Sequence, residues 1–233
     1  MPDVAGARAH VREVILRALR DPSCLPSLPP RELDLTLRVL RRARLLGQLA
    51  WHARDSGALE RLPPTASDAL LGALAMAEAR ARVALWELDR IAWALEGLPD
   101  VPLITMKGCA YALAGLPHAH GRVFADVDLL VPEHRLPDVE ACLLARGWQT
   151  TELTAYDDNY YRLWTHELPP LRHRERDVEV DLHHGIVMRT SRFWSDPTTL
   201  LAAARALPGS RFSVLAPVDM TLHAIAHLVA GGE

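Results

Sequence analysis

Residues 107–131 read KGCAYALAGLPHAHGRVFADVDLLV, and this stretch decides the fold. It ends with Asp126 and Asp128 set one residue apart inside an apolar run. Alternate side chains of a β-strand point to the same face, so both carboxylates project together while Val127 and Leu129 point the opposite way. Two neighbouring acids repel each other, and hydrophobic flanks add a desolvation cost. Because a cation relieves both costs, the pair predicts a magnesium-binding strand.

A second acidic segment, DVEVDLH at residues 177–183, alternates in the same way. Glu179, Asp181 and His183 share one face of the expected strand. If this strand lies beside the first, Asp181 completes a cluster of three carboxylates. Such a cluster suits Mg²⁺, which takes oxygen ligands and keeps water for substrate phosphates to displace. A surface strand that merely carries a few charges is the alternative, and for Glu179 the two interpretations are balanced.

A phosphate-binding side is indicated by residues that precede the aspartate pair. Lys107 and Gly108 stand where an apolar run, VPLITM, meets the next expected helix. A glycine there lets the backbone approach a ligand, and the N-terminus of a helix offers free N–H groups to a phosphate. Lys107 adds a point charge. Arg122 could neutralise phosphate as well, although an ordinary surface or structural arginine fits the pattern equally.

The histidines allow several roles. His183 lies on the acidic face of its strand, where it could bind a phosphate, orient a carboxylate or act as a base. His166 and Glu167 precede two prolines and could line the same cleft. His223 and His227 have the i, i+4 spacing of metal ligands. The second pair lacks a neighbouring glutamate of the HExxH kind, which favours a structural role for it.

Hydrophobic periodicity predicts helices at both ends of the chain and strands between them. Helices are expected at residues 5–19, 31–54, 66–98, 108–116, 136–146 and 196–207, and from 217 onward. Strands are expected at residues 101–106, 123–131, 148–153, 160–166, 171–174, 177–183 and 212–215. This order is typical of an α+β protein.

The change from helical to strand periodicity suggests three parts. Residues 1–97 form a helical N-terminal region, and residues 98–216 form a domain with a mixed β-sheet flanked by helices. Residues 217–233 begin a helical C-terminal region, which we expect the end of the chain to truncate.

Composition excludes several classes of protein. The chain has 233 residues, of which 49% are hydrophobic and 24% charged, and its formal net charge of -3 gives no electrostatic case for nucleic acid or an anionic membrane as a partner. The three cysteines are too few and too scattered for a disulfide framework or a zinc knuckle. No signal peptide is recognisable, and no apolar run approaches the ~20 residues of a membrane span. We therefore expect a cytoplasmic protein.

Three segments together resemble a known family. Lys-Gly, Arg-x-x-x-Asp-x-Asp-Leu-Leu-Val and Val-Asp-Leu-His-His are similar to the uncharacterised nucleotidyltransferase family of the DNA polymerase β-like superfamily. The resemblance runs from about residue 103 to about residue 227 and includes HELPPL and APVDMTLHAIAHL. It implies a minimal nucleotidyltransferase palm that holds two Mg²⁺ ions, which Mn²⁺ can replace. The implied metal ligands are Asp126, Asp128 and Asp181, and the residues implied near the nucleotide phosphates are Lys107, Gly108 and Arg122.

The resulting prediction is an enzyme that moves a nucleoside monophosphate from an NTP to the hydroxyl of an unidentified acceptor and releases pyrophosphate. One departure motivates an alternative: Cys109 stands where the wider superfamily carries a second glycine or a serine, and it has no hydroxyl to offer a phosphate. The domain could then be a non-catalytic nucleotide sensor or a partner-binding module. A toxin-like enzyme that modifies tRNA or protein is the third option, and the acidic net charge counts against tRNA.

Overall fold

The computed structural model describes residues 4–124, 126–151, 154, 160–161 and 164–230. The chain divides into two compact units. The first consists of Met1–Ala81 and Leu116–Phe124, and the second of Arg82–Gly115 and Ala125–Glu233. The expected α+β class is confirmed, with helices towards both termini and a mixed sheet. The division into residues 1–97, 98–216 and 217–233 stays a prediction.

The first unit is built from helices around an aliphatic core. Its elements are α1 (Val4–Arg20), α2 (Pro30–Arg42), α3 (Leu46–Asp55) and the beginning of α4 (Pro64–Ala94), which continues into the second unit. Fully buried members of this core include Leu25, Leu40, Leu49 and Leu70. Leu40, Leu49 and Leu70 lie on α2, α3 and α4, whose apolar periodicity predicted helices in this part of the chain.

The single helix expected at residues 31–54 is wrong, because the chain turns between α2 and α3. Arg44 adopts the left-handed conformation, with φ of 58°. The amide of Leu45 donates to the carbonyl of Leu40 at 2.9 Å, and the amide of Arg44 donates to that of Arg41 at 3.1 Å. These bonds form a Schellman motif, which ends a helix by satisfying its last carbonyl groups. Glycine usually occupies the left-handed position, so an arginine there gave no warning in the sequence.

Residues 116–124 are held within the first unit by a close backbone approach. A Cβ on Gly121 would lie 2.2 Å from the carbonyl oxygen of Gly47, so the contact requires glycine. Nearby, the rings of Trp51 and His120 stack with centroids 4.5 Å apart. Gln48 donates through Nε2 to the carbonyl oxygen of His118 at 3.1 Å.

Within the described residues, the second unit contains one mixed sheet of seven strands in the order β3-β4-β5-β2-β1-β7-β6. The strands are β1 (Ile104–Thr105), β2 (Asp126–Leu130), β3 (Trp148–Thr150), β4 (Leu171–His173), β5 (Glu179–His183), β6 (Arg205–Ala206) and β7 (Ser213–Val214). The pairs β2–β5 and β1–β7 are parallel, and the other neighbours are antiparallel. The helices of this unit include the end of α4 together with α5 (Lys107–Leu113), α6 (Leu136–Ala145), α7 (Pro197–Ala203) and α8 (Pro217–Ala230).

The two central strands bury the apolar half of their alternating pattern. Val127 and Leu129 of β2 and Val180 and Leu182 of β5 are fully buried. This burial fixes which face each acidic residue takes, because a shift of one residue would exchange the faces.

Some of the predicted strands differ from the observed elements. The strand expected at residues 160–166 is wrong, because Tyr160, Tyr161 and Trp164 have helical backbone. A short apolar run cannot be assigned by periodicity alone. The strand expected at 101–106 is reduced to β1. The helix expected at 196–207 ends at Ala203, and β6 follows it.

Two more expected elements extend beyond what the structure describes. Residues 152–153 of the strand expected at 148–153 and residue 125 of the strand at 123–131 lie outside the described residues. Among the described helices, none combines the length and the apolar character needed to cross a bilayer.

Candidate active site

The two acidic strands lie side by side, as the cluster of carboxylates requires. In the parallel register of β2 and β5, Asp128 is opposite Asp181 and Asp126 is opposite Glu179. Paired residues of neighbouring strands point to the same face of a sheet. Asp128 is only 1% exposed and Asp181 is half-buried, because the face they share is partly covered. The sheet therefore brings two carboxylates together from segments about fifty residues apart in sequence.

Two side chains, Lys107 and His183, contact the carboxylate of Asp128. Lys107 donates through Nζ to Asp128 Oδ1 at 2.6 Å, and His183 Nε2 lies 3.0 Å from the same oxygen. Burial raises the pKa of Asp128, but the hydrogen bond and charge of His183 and the ammonium of Lys107 outweigh burial and lower that pKa to about 2. Asp128 is thus an anion throughout the physiological pH range.

Asp181 has the opposite electrostatic environment. Burial and the charge of Asp128 raise the pKa of Asp181 to about 7, with further contributions from Glu167 and Glu179 that the His183 ring partly offsets. A divalent cation between the two carboxylates would remove this cost, since it favours the ionised form of both. The pair therefore fits a hard metal ion by its oxygen donors and by its unrelieved repulsion.

Lys107 reaches this site from a strained backbone position at the start of α5. Its φ of 45° lies in the left-handed region, which costs a residue with a side chain about 1–2 kcal/mol. Burial lowers the pKa of Lys107, but the neighbouring carboxylates, Asp128 first among them, outweigh burial and raise it. Lys107 is therefore an ammonium placed among acids, and its strain fits a position under functional constraint.

Gly108 and Cys109 follow in the first turn of α5, and both are buried. The Cys109 thiol donates to the carbonyl oxygen of Asp126 at 3.6 Å. Burial, with the charges of Asp128 and Asp126, raises the pKa of this thiol far above its ordinary value. Cys109 is thus a neutral group that joins the helix to β2. Cys24, Cys109 and Cys142 are free thiols.

The two remaining predicted site residues belong to different compact units. Asp126 is half-buried on β2, and its charge contributes to the raised pKa of Lys107. Arg122 lies in the first unit, where its amide donates to the carbonyl of Ala119 at 3.2 Å. The role of Arg122 at a phosphate stays a prediction.

Histidine and glutamate side chains form a second group of possible metal ligands beside the aspartates, which the sequence did not predict. Within the described residues, the possible ligand atoms of Asp128, Asp181 and His183 lie within 4.8 Å of one another, and so do those of His166, Glu167 and His183. His183 therefore belongs to both groups. The observed contact with Asp128 is the one expected of a histidine that orients a carboxylate, and a phosphate contact by His183 stays a prediction.

Two other polar residues have structural explanations. Glu179 accepts a hydrogen bond from Arg172 Nη2 at 3.0 Å, which gives it a surface ion pair. His223 on α8 is buried, and this burial, together with the charges of His183 and Lys107, lowers its pKa to about 3. His223 is therefore neutral. The i, i+4 spacing of His223 and His227 was the sequence signal for this residue. That spacing did not indicate that His223 lies near Asp128.

A family model described as "Uncharacterised nucleotidyltransferase" matches residues 29–233. The chain belongs to this uncharacterised nucleotidyltransferase family. No curated protein and no solved structure matches the chain. Membership supports a general role in nucleotidyl transfer with an NTP as substrate, and nucleotidyltransferases generally use divalent metals. The candidate acidic and histidine groups described above suit such an ion.

Proposed function

We propose that the protein transfers a nucleoside monophosphate from an NTP to an acceptor hydroxyl in the presence of Mg²⁺. The observation that carries the proposal is the pairing of Asp128 with Asp181 on adjacent parallel strands, with the ammonium of Lys107 at the same edge. Oxygen ligands on a rigid sheet suit a hard ion, and a cation beside them suits the charge of a triphosphate.

The carboxylates have separate tasks in this reaction. Asp126 and Asp128 would hold a metal ion for the triphosphate, and Asp181 would hold an ion for the acceptor. The bound metal supplies charge neutralisation at the phosphoryl group. The acceptor oxygen bonds to the α-phosphorus, the bond to the pyrophosphate oxygen breaks, and Asp181 receives the acceptor proton.

Lys107 changes partner during this cycle. It neutralises Asp128 in the free protein, at 2.6 Å. A metal ion at Asp128 would compete with this ion pair, and the Lys107 ammonium would then be able to contact a phosphate oxygen. Gly108 lets the backbone of α5 approach that phosphate, since it has no side chain. Positioning and charge neutralisation then supply most of the rate, as is usual for phosphoryl transfer.

The test uses the full chain with each α-labelled NTP in turn, Mg²⁺ or Mn²⁺, and a cell extract as the source of acceptor. We expect label on one product class and an equal amount of released pyrophosphate, both lost in the Asp128→Asn variant. Identification of the labelled product would also separate a small acceptor from tRNA or protein. Absence of transfer with every NTP and both metals would contradict the proposal.

A non-catalytic nucleotide sensor is the second candidate, and the burial of Cys109 favours it. The thiol contacts the backbone of Asp126, so the loop position that carries a hydroxyl or a glycine in the wider superfamily is directed into the protein. Calorimetry with NTP and Mg²⁺, followed by measurement of pyrophosphate, separates the two functions. Binding without release would favour the sensor.

A further inference from the structure

A second cluster of possible metal ligands lies next to Asp128 and Asp181. Glu167 Oε2 is 3.3 Å from His183 Nδ1 and 3.9 Å from His166 Nε2. The two imidazole rings have centroids 5.6 Å apart and are tilted by 34°. Two nitrogen atoms and one carboxylate oxygen thus lie within 4.8 Å of one another, whereas the carboxylates of Asp128 and Asp181 offer only oxygen.

The backbone holds this cluster in place. The segment that carries His166 and Glu167 pairs with the end of β5 through an antiparallel bridge between Glu167 and His183. The amide of Leu168 donates to the carbonyl of Leu182 at 2.8 Å, and the amide of His184 donates to that of His166 at 2.9 Å. Ligands carried by paired strands keep their separation without help from an ion.

The second ring nitrogen of His183 is the decisive atom. His183 is 1% exposed, and its Nε2 donates to Asp128 Oδ1, because an ionised carboxylate can only accept. A ring whose single proton is on Nε2 has a lone pair on Nδ1. This atom is buried and makes no hydrogen bond with any described residue, although Glu167 Oε2 is 3.3 Å away. A lone pair on Nδ1 and the carboxylate oxygen of Glu167 would repel each other at this distance. A cation between the two atoms would relieve that repulsion.

The separation of these two acceptors also suits a metal ion. Ligands about 2.1 Å from a tetrahedral ion lie about 3.4 Å from each other. The observed 3.3 Å is close to that value. The order Asp128, His183, then metal reproduces the carboxylate–histidine–metal arrangement, in which the carboxylate fixes which nitrogen binds.

We propose that His166, Glu167 and His183 form a second cation site, which binds a divalent transition metal of the Zn²⁺ class. Imidazole nitrogen suits such ions, whereas Mg²⁺ favours an all-oxygen shell. Three protein ligands leave a fourth position open to water or to an acceptor group. Because His183 also contacts Asp128, an ion here would fix the orientation of that carboxylate as well.

Co²⁺ is the probe, because its visible absorption reports nitrogen ligands and coordination number. The full chain is stripped of metal with a chelator, dialysed and titrated with Co²⁺ in the absence of nucleotide. We expect one ion bound with the strong absorption of a four- or five-coordinate site. His166→Gln and Glu167→Gln should each weaken binding by more than about 10-fold. His134→Gln is the matched control, since His134 is exposed and lies outside both groups.

Several results would overturn the second site. Wild-type affinity in both the His166→Gln and Glu167→Gln variants would place the ion elsewhere. Loss of Co²⁺ binding in the Asp181→Asn variant alone would assign the ion to Asp128 and Asp181. Absence of any Co²⁺ absorption would leave Glu167 and His183 as a simple ion pair. Circular dichroism of each variant verifies folding before titration. Because no nucleotide is present, failure of the pyrophosphate assay would not affect this result.

Discussion

Asp128 and Asp181 face each other across two parallel strands, yet the pKa values of their carboxyls diverge. Burial acts on both. At Asp128 the His183 ring and the Lys107 ammonium outweigh burial and lower the pKa to about 2, whereas at Asp181 the charge of Asp128 adds to burial and raises the pKa to about 7. One carboxyl is therefore a constant anion, and the other changes its charge near neutrality. Such a division is typical of acid–base pairs in active sites.

Metal affinity should depend on pH through Asp181. Below about pH 7 an incoming ion must displace the proton of this carboxyl, so the apparent affinity for Mn²⁺ in the presence of NTP should rise with pH by up to about tenfold per unit. Above about pH 7 it should become constant. Titration of Mn²⁺ by electron paramagnetic resonance between pH 5.5 and 8.5 measures this profile.

The Asp181→Asn variant is the control for this pH profile. It should bind Mn²⁺ more weakly at high pH and lose the rise through pH 7, because its amide does not titrate. A profile of the wild-type protein that is flat between pH 5.5 and 8.5 would contradict the assigned electrostatics.

The same carboxyl should reduce the stability of the metal-free protein at high pH. Its folded pKa of about 7 lies above the ordinary value of 3.8, so its contribution to the free energy of unfolding is fully present below about pH 3.8 and is lost progressively as the pH rises to about 7. Asp181→Asn should therefore be more stable than wild type at pH 8, by on the order of 1–3 kcal/mol. Urea unfolding in a chelator at pH 6 and pH 8 tests this. If the free energies of unfolding of Asp181→Asn and wild type differed by the same amount at both pH values, the raised pKa of Asp181 would be contradicted.

Lys107 and Asp128 should be coupled energetically. Lys107→Met removes the closest cation from a carboxylate that is 1% exposed, and we expect a loss of about 1–3 kcal/mol in the free energy of unfolding, moderated by the remaining His183 contact. Asp128→Asn removes the negative charge with which Lys107 forms an ion pair. A double-mutant cycle with Lys107→Met and Asp128→Asn measures the coupling by urea unfolding, and additive effects would refute it.

The position of the acidic strands was predictable because alternation leaves few arrangements. Val127 and Val180 must be buried, so Asp128 and Asp181 must share the opposite face once β2 and β5 pair. The contact between His183 and Glu167 was not predictable in this way. It depends on a bridge between segments that no periodicity connects, and on a ring orientation set by packing.

Backbone conformations that violate residue preferences were also hidden from the sequence. Arg44 and Lys107 both have positive φ, which sequence reasoning reserves for glycine and asparagine. At Arg44 the consequence was a missed break between two helices. At Lys107 the strained position is the first residue of α5, from which the ammonium contacts Asp128.

The close approach of Gly47 and Gly121 makes a matched test of packing in the first unit. Gly121→Ala would place a Cβ 2.2 Å from a carbonyl oxygen at a φ of 68°, so we expect a loss of about 2 kcal/mol or more. Gly72→Ala is the control, because nothing lies within 4 Å of its Cβ on α4, and it should stabilise the protein by about 0.5–1 kcal/mol. Thermal unfolding of both variants compares them, and equal effects would show that the approach is not tight.

The rate of nucleotidyl transfer should depend on Asp126 and Asp128 of β2 and not on neighbouring acidic residues at the surface. Asp126→Ala and Asp128→Ala should each lower the rate of pyrophosphate release by about 100-fold or more, because each removes an oxygen ligand and a charge opposite the triphosphate. Asp177→Ala is the matched control: its side chain is 84% exposed and pairs with Arg172 just before β5. Stopped assays at saturating NTP and Mg²⁺, with circular dichroism of each variant, give the comparison. Full Mg²⁺-dependent activity in either strand variant would remove that aspartate from the metal site, whereas a large loss in Asp177→Ala would show that general surface charge is responsible.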